Sequence, residues 1–134
     1  MAEKSFTLEV ITPDRIVLSD PDIVSVTAPG SEGYLGMLAN HAPLMTELKI
    51  GKLDLRRRDG TKDAMAIAGG FLEVFENKVS VLAESAELAS EIDVERAERS
   101  VKRAEERLAA GEVDAARAHA SLQRAMNRLN IARQ

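Results

Sequence analysis

Glu91-Ile92-Asp93-Val94-Glu95-Arg96-Ala97 is the point at which the sequence changes its period. From there to residue 134 the chain has no proline, one glycine and many Ala, Glu and Arg. Val94, Ala97, Val101, Ala104 and Leu108 step by three and four, so they share one helical face. Ser90 and Asp93 stand at the start, where short polar side chains cap the first amides. Gly111 ends the run, as a residue just past a helix often does. Asp114 is placed to cap a second helix, on which Ala115, Ala118, Leu122, Ala125, Leu129 and Ala132 repeat the same stepping. A connection of about four residues forces the two helices antiparallel.

Upstream the period is two. Phe6, Leu8 and Val10 alternate with polar positions, as in a half-buried strand. Thr12-Pro13-Asp14 is a turn signal, Ile16 and Leu18 alternate again, and Asp20-Pro21-Asp22 reads as punctuation before a strand over 23–28. Apolar runs flank Gly51, and Asp59-Gly60 is a hairpin turn between arms 52–58 and 62–68. Gly69-Gly70 marks a bend or bulge before Phe71–Phe75, and Glu76-Asn77-Lys78 turns the chain into 79–83. Many short strands at regular spacing predict an all-β sandwich or flattened barrel over residues 1–87, followed by a helical hairpin over 88–134.

The hairpin seam is mostly alanine. Small residues let helices approach closely but bury little apolar area, so at ~25 cal/mol per Å² the seam stabilises weakly. Chain entropy opposes it at ~1–2 kcal/mol per ordered residue. Such a hairpin should lean on another surface, and it can open and repack.

Charge follows the same division. Residues 1–90 carry 14 acidic and 9 basic side chains, net −5, whereas 91–134 carry 8 and 9, net +1. Helix two holds Arg117, Arg124, Arg128 and Arg133 with no acid after Asp114. That is either a solvated face or a surface for an anion. The whole chain is −4, with no Trp and few aromatics, which argues against nucleic-acid binding. Absence of cysteine excludes thiol catalysis and disulfides. The two histidines, His41 and His119, lie far apart without ligand spacing, against a zinc site. No signal peptide is visible, and no run approaches the ~20 apolar residues that span a bilayer.

Several motifs invite chemistry and do not support it. Gly30, Gly33 and Gly36 lack the Lys-Ser/Thr of a P-loop and are read as turn glycines. His41 has no nucleophile or carboxylate partner in sequence, so it fixes a turn or contacts a partner. Arg56-Arg57-Arg58 reads as a solvated edge, and Glu84 with Glu87 as surface charge. Asp93 can accept from an amine or hydroxyl. Arg96 and Arg103 project from nearly one side of helix one, and Arg124 with Arg128 from one face of helix two. Folding the hairpin on itself would converge four guanidinium groups on a triphosphate. No catalytic group can be assembled, so a non-catalytic protein is expected, with a free-standing adaptor or nucleotide sensor as the alternative.

Five segments, in order, carry a family resemblance. They are Val10–Asp14, the block Gly33–Leu44, Gly69–Val74, Ile92-Asp93-x-x-Arg96-Ala97, and Arg124–Leu129. The chain resembles the epsilon subunit of a bacterial or plastid-type F-type ATP synthase along essentially its full length, with Met37 and Ala39 where Ile and Pro are more usual. The resemblance implies a ten-stranded β-sandwich and a C-terminal antiparallel two-helix hairpin. It implies a place in the rotating central stalk of a proton- or cation-translocating complex, with the gamma subunit, c-ring, and beta and alpha subunits as partners, His41 among the contacts. It implies that the hairpin moves between compact and extended forms and that the extended form impedes ATP hydrolysis. No cofactor or metal is required. ATP is implied as a regulatory ligand of the compact form, held by Glu87, Ile92, Asp93, Arg96, Ala97, Arg103, Arg124 and Arg128. The implied location is peripheral, at the cytoplasmic face of a bacterial membrane or, alternatively, the stromal face of a thylakoid.

Overall fold

The computed structural model describes residues 3–111 and 114–133 of the chain. It divides into two compact units, one up to Leu88 and one from Ala89.

Seven strands form the first unit among the described residues: β1 (Phe6–Ile11), β2 (Ile16–Gly30), β3 (Gly33–Leu38), β4 (Leu44–Arg57), β5 (Lys62–Phe75), β6 (Lys78–Ala83) and β7 (Ala86–Leu88). Their order is β1-β6-β5-β4-β2-β3, with β7 on β5. β1 pairs parallel with β6 and antiparallel with β2, which closes the ladder into a flattened barrel. The expected ten strands are seven because β2, β4 and β5 are long, at 15, 14 and 14 residues. β2 gives its first half to β1 and its second to β3 and β4, bending at register shifts instead of ending. Asp20-Pro21-Asp22 lies inside β2 at one such irregularity, where a proline without an N–H is tolerated.

Alternation decides the core. Leu8 and Val10, Leu53 and Leu55, Met65 and Ile67, Leu72 and Val74, and Val79 and Val81 all face inward. In β2 the irregularity between Ile23 and Ser25 breaks the alternation, so Ile23 and Val24 are both buried.

The glycine-rich segment 30–36 is mostly strand. Only Gly33 has a positive φ, +130°, at the β2–β3 turn, while Gly36 lies within β3 opposite Thr27. Gly69 and Gly70 do carry the expected bend, with φ of +79° and +115°. Glu76 and Asn77, both left-handed, close the β5–β6 hairpin. The Asn77 side chain then ties two other segments, accepting from the Asn40 amide at 2.8 Å and donating to the Ser5 carbonyl at 3.0 Å.

The arginine block is not a solvated edge. Arg56 forms a two-pronged pair with Glu3, at 2.8 Å on each prong. Arg57 bridges Asp20 at 2.8 Å and Asp63 at 3.0 Å. Arg58 reaches Asp22 and Ser5. Three cations at the end of β4 thus clamp the β4–β5 hairpin to the N-terminal segment and to the irregularity in β2, which sequence adjacency alone could not reveal.

The second unit begins with a 3-10 turn at Ala89–Glu91, then α1 (Val94–Ala109) and α2 (Ala115–Ala132). Asp93 and Asp114 are the N-caps, accepting from the Arg96 and Arg117 amides at 3.1 and 2.9 Å. Ser90 lies in the 3-10 turn, and the cap of α1 is Asp93. Five residues, 110–114, join the helices, and Glu112 and Val113 lie outside the described residues, as does part of the expected four-residue loop. Gly111 has φ +74° and donates to the Leu108 carbonyl at 3.2 Å. The seam is mostly alanine at seven-residue intervals, with Ala97 and Ala104 on α1 and Ala118 and Ala125 on α2 all buried, and Ile131 of α2 is the one large apolar side chain of the two helices buried with them.

Two outcomes follow. A Cβ on Gly70 would stand 2.1 Å from the Leu82 carbonyl oxygen at a φ that side chains avoid. Gly70→Ala should lower the unfolding free energy of the first unit by roughly 3 kcal/mol or more in urea titrations. Gly36→Ala, with open space at its Cβ, should be close to neutral. Acid is the second. Hydrogen bonds from the Arg56 guanidinium, the Thr12 hydroxyl and the Thr61 hydroxyl hold Glu3, Asp14 and Asp59 below their ordinary values of 4.5, 3.8 and 3.8. A depressed folded-state value stabilises above the unfolded one and is lost as pH falls through it. The melting temperature should therefore hold from pH 7 to about 5 and fall below about 4. A variant with Glu3→Gln, Asp14→Asn and Asp59→Asn should show a shallower fall in circular dichroism melts.

Candidate functional site

Helical geometry decides where the arginines stand. At about 100° per residue, Arg96 precedes the seam residue Ala97 by about 100°, and Arg103, seven residues on, repeats that angle within about 20°. On α2, Arg124 precedes Ala125 by about 100°, and Arg128, three residues beyond it, returns to within about 60° on that same side. In an antiparallel pair the angular sense reverses, so both sets fall on one edge of the hairpin. The other edge gives an independent check. Glu98 and Arg133 each follow a seam alanine by about 80–100°, and they form an ion pair.

Along this edge the expected residues occupy different settings. Arg96, Arg103 and Arg124 are exposed and Arg128 is half-buried. Arg124 donates from Nη2 to Ser121 Oγ at 3.2 Å, which turns its guanidinium toward the start of α2. Asp93 lies at the head of α1 with Oδ1 holding the Arg96 amide, and its carboxylate has further lone pairs. Ile92 is buried, its amide donating to the Ala89 carbonyl at 3.3 Å. Ala97 is fully buried in the seam. Glu87 lies in β7, half-buried and opposite Ala66, in the first unit, whereas the other seven lie in the second.

Sequence reasoning missed the turn end of this edge. Arg107 of α1, the capping Asp114, and Arg117, Ala118 and Ser121 of α2 line a cleft of about 340 Å³. The signal was present, because Arg107 follows Arg103 by four residues and Arg117 precedes Arg124 by seven.

In the first unit His41 is exposed between β3 and β4, its Nδ1–H donating to the Ala42 carbonyl at 2.7 Å beside the left-handed Asn40. Pro43, Leu44, Met45, Glu73, Val74 and Phe75 line an open depression nearby in sequence, on β4 and β5. Met45, Phe71, Phe75 and Leu82 are 67, 54, 54 and 57% exposed across β4, β5 and β6. Among the described residues no cluster of three or more His, Cys, Asp or Glu could hold a metal, and no helix is long and apolar enough to cross a membrane. The chemistry on offer is anion recognition and surface docking.

Two family models match in order. "ATP synthase, Delta/Epsilon chain, beta-sandwich domain" covers residues 5–89 and "ATP synthase, Delta/Epsilon chain, long alpha-helix domain" residues 90–133. The chain is 51% identical over 109 residues to the ATP synthase epsilon chain of Pelotomaculum thermopropionicum, covering 81% of this chain and 80% of that one. It is 53% identical over 108 residues to that of Syntrophomonas wolfei, covering 81% and 78%. Among solved structures, a chain of the Euglena gracilis mitochondrial ATP synthase, seen in its OSCP/F1/c-ring part, superposes with a TM-score of 0.79 at 24% identity, over 100% of this chain and 84% of that one. At that identity the likeness speaks for the fold.

Proposed function

This chain belongs to the ATP synthase delta/epsilon chain family, and on that premise we propose that it is a non-catalytic central-stalk subunit of an F-type ATP synthase whose hairpin brakes ATP hydrolysis. The observation that carries the reading is the pairing of a weak seam with a charged edge. Ala97, Ala104, Ala118 and Ala125 hold the helices together with little buried area, while Arg96, Arg103, Arg124 and Arg128 line one edge.

In this reading ATP is a ligand of the compact hairpin and no bond of it is broken. Guanidinium forks suit phosphate oxygens, since each offers two parallel N–H donors. The Asp93 lone pairs not used by the cap accept from an amine or hydroxyl of the nucleoside. Ala97 keeps the helices close, and buried Ile92 fixes the chain entering α1. When the helices part, the same arginines meet acidic residues of the beta subunit. A ligand shifts such an equilibrium only by its differential affinity for the two forms, so ATP and the acidic partner compete for one set of charges. The exposed apolar side chains Met45, Phe71, Phe75 and Leu82, with the loop around His41, supply a docking face for the gamma subunit and c-ring. A peripheral place at the cytoplasmic or stromal membrane face follows from such docking.

Removing residues 91–134 should raise ATP hydrolysis by the assembled complex and leave its assembly intact. Unchanged hydrolysis would defeat the brake. Calorimetry of the full chain tests the ligand. ATP should give saturable heat, and Asp93→Asn, which keeps a good N-cap, should weaken binding by roughly tenfold. Absence of saturable heat at millimolar ATP would remove the nucleotide from the mechanism.

A further inference from the structure

We propose that the cleft at the turn end of the hairpin is a separate site for a free hydrogen phosphate ion. It rests on the packed hairpin and not on the ATP reading. Arg107 and Arg117 come from opposite helices and line the same cleft, and neither forms an ion pair among the described residues. Asp114 is the one carboxylate among the described lining side chains, so the two cations outnumber it and the cleft keeps an excess of positive charge for an anion. At about 340 Å³ the cleft admits a tetrahedral oxyanion with several waters, each taking about 30 Å³ in the liquid.

The other lining groups fix the chemistry. Ser121 Oγ already accepts from Arg124 and can donate its proton to an oxyanion, so a third guanidinium stands behind the hydroxyl. Asp114 contributes the opposing charge, its Oδ1 being held by the Arg117 amide. Among the described residues, two lining guanidinium groups less one carboxylate leave one positive charge, and Arg124 behind Ser121 adds a second, matching a hydrogen phosphate dianion. The carboxylate also discriminates. Hydrogen phosphate has a P–OH that can donate to Asp114, whereas sulfate has no donor and meets only repulsion there.

An ion held by both helices favours the closed hairpin over any state in which they part. Through Ser121 it also bears on Arg124, one of the residues proposed to meet ATP. Free phosphate would thereby bias the brake without occupying the nucleotide's place.

The test is a proton–nitrogen NMR titration of the full chain, without ATP, with sodium phosphate against sodium chloride of equal ionic strength and against sodium sulfate. Phosphate should shift the Arg117 and Ser121 amides saturably, with sulfate weaker. Arg107→Gln and Arg117→Gln should each raise the apparent Kd by about tenfold, since a charge-assisted hydrogen bond is lost. Asp114→Asn, which preserves the cap, should erase the preference over sulfate. Equal shifts in chloride, or phosphate binding unchanged in both arginine variants, would overturn the proposal. ATP binding by Arg117→Gln, read by calorimetry, should stay unchanged, so loss of either ligand is told apart from loss of the other.

Discussion

The double pairing of β1 is the constraint on which the first unit depends. One six-residue strand runs parallel to β6 and antiparallel to β2, and this closes an otherwise open ladder. Closure removes the edge that β1 or β6 would otherwise expose. It also sets the local demands. β2 must bend to serve β1 and then β3 and β4, and the irregularities at Asp20–Asp22 and Ile23–Ser25 let it do so. Asn77 reaches back to Ser5 just before β1, and Arg56 pairs with Glu3, so polar contacts hold the leading end of that strand. The apolar core of Leu8, Val10, Val79 and Val81 fills the seam so made.

The second unit is built on the opposite economy of contacts. Its helices meet through alanine, so shape rather than area joins them, and charge is distributed by angle around that contact. One edge carries Glu98 with Arg133, a pair that spans the hairpin. The other gathers arginines from both helices. A surface ion pair contributes about 0–1 kcal/mol, so neither edge locks the hairpin by itself. A bound anion that touches both helices can therefore set the balance between forms.

Much of this was legible in the sequence, and the failures have physical reasons. Period two and period 3.6 located β1, β4 to β6, α1 and α2, because burial on one face imposes those periods. Asp93, Asp114, Gly111 and Gly70 were readable because capping and positive φ narrow the choice of residue. β3 was hidden under glycines that resembled a turn, and the strand through Asp20-Pro21-Asp22 was hidden under a breaker motif. In both, pairing with neighbours overrode local propensity. The fate of Arg56-Arg57-Arg58 could not be read, since Glu3 and Asp20 come near only when the barrel closes, although Asp63 is brought up by the β4–β5 hairpin itself. The cleft of Arg107 and Arg117 was missed because an edge shared by two antiparallel helices is a property of their pairing and not of either helix.

The alanine seam has a thermal consequence. Heat-capacity change tracks the apolar surface exposed to water, and parting helices joined mainly by Ala97, Ala104, Ala118 and Ala125 exposes less of it than a seam of leucines would. The enthalpy of parting then varies less with temperature than it would with larger seam side chains. A seam of leucines would have made the closed form loosen in the cold and curve with warming. With alanine, temperature moves the hairpin less, and its setting is left more to ions and partners.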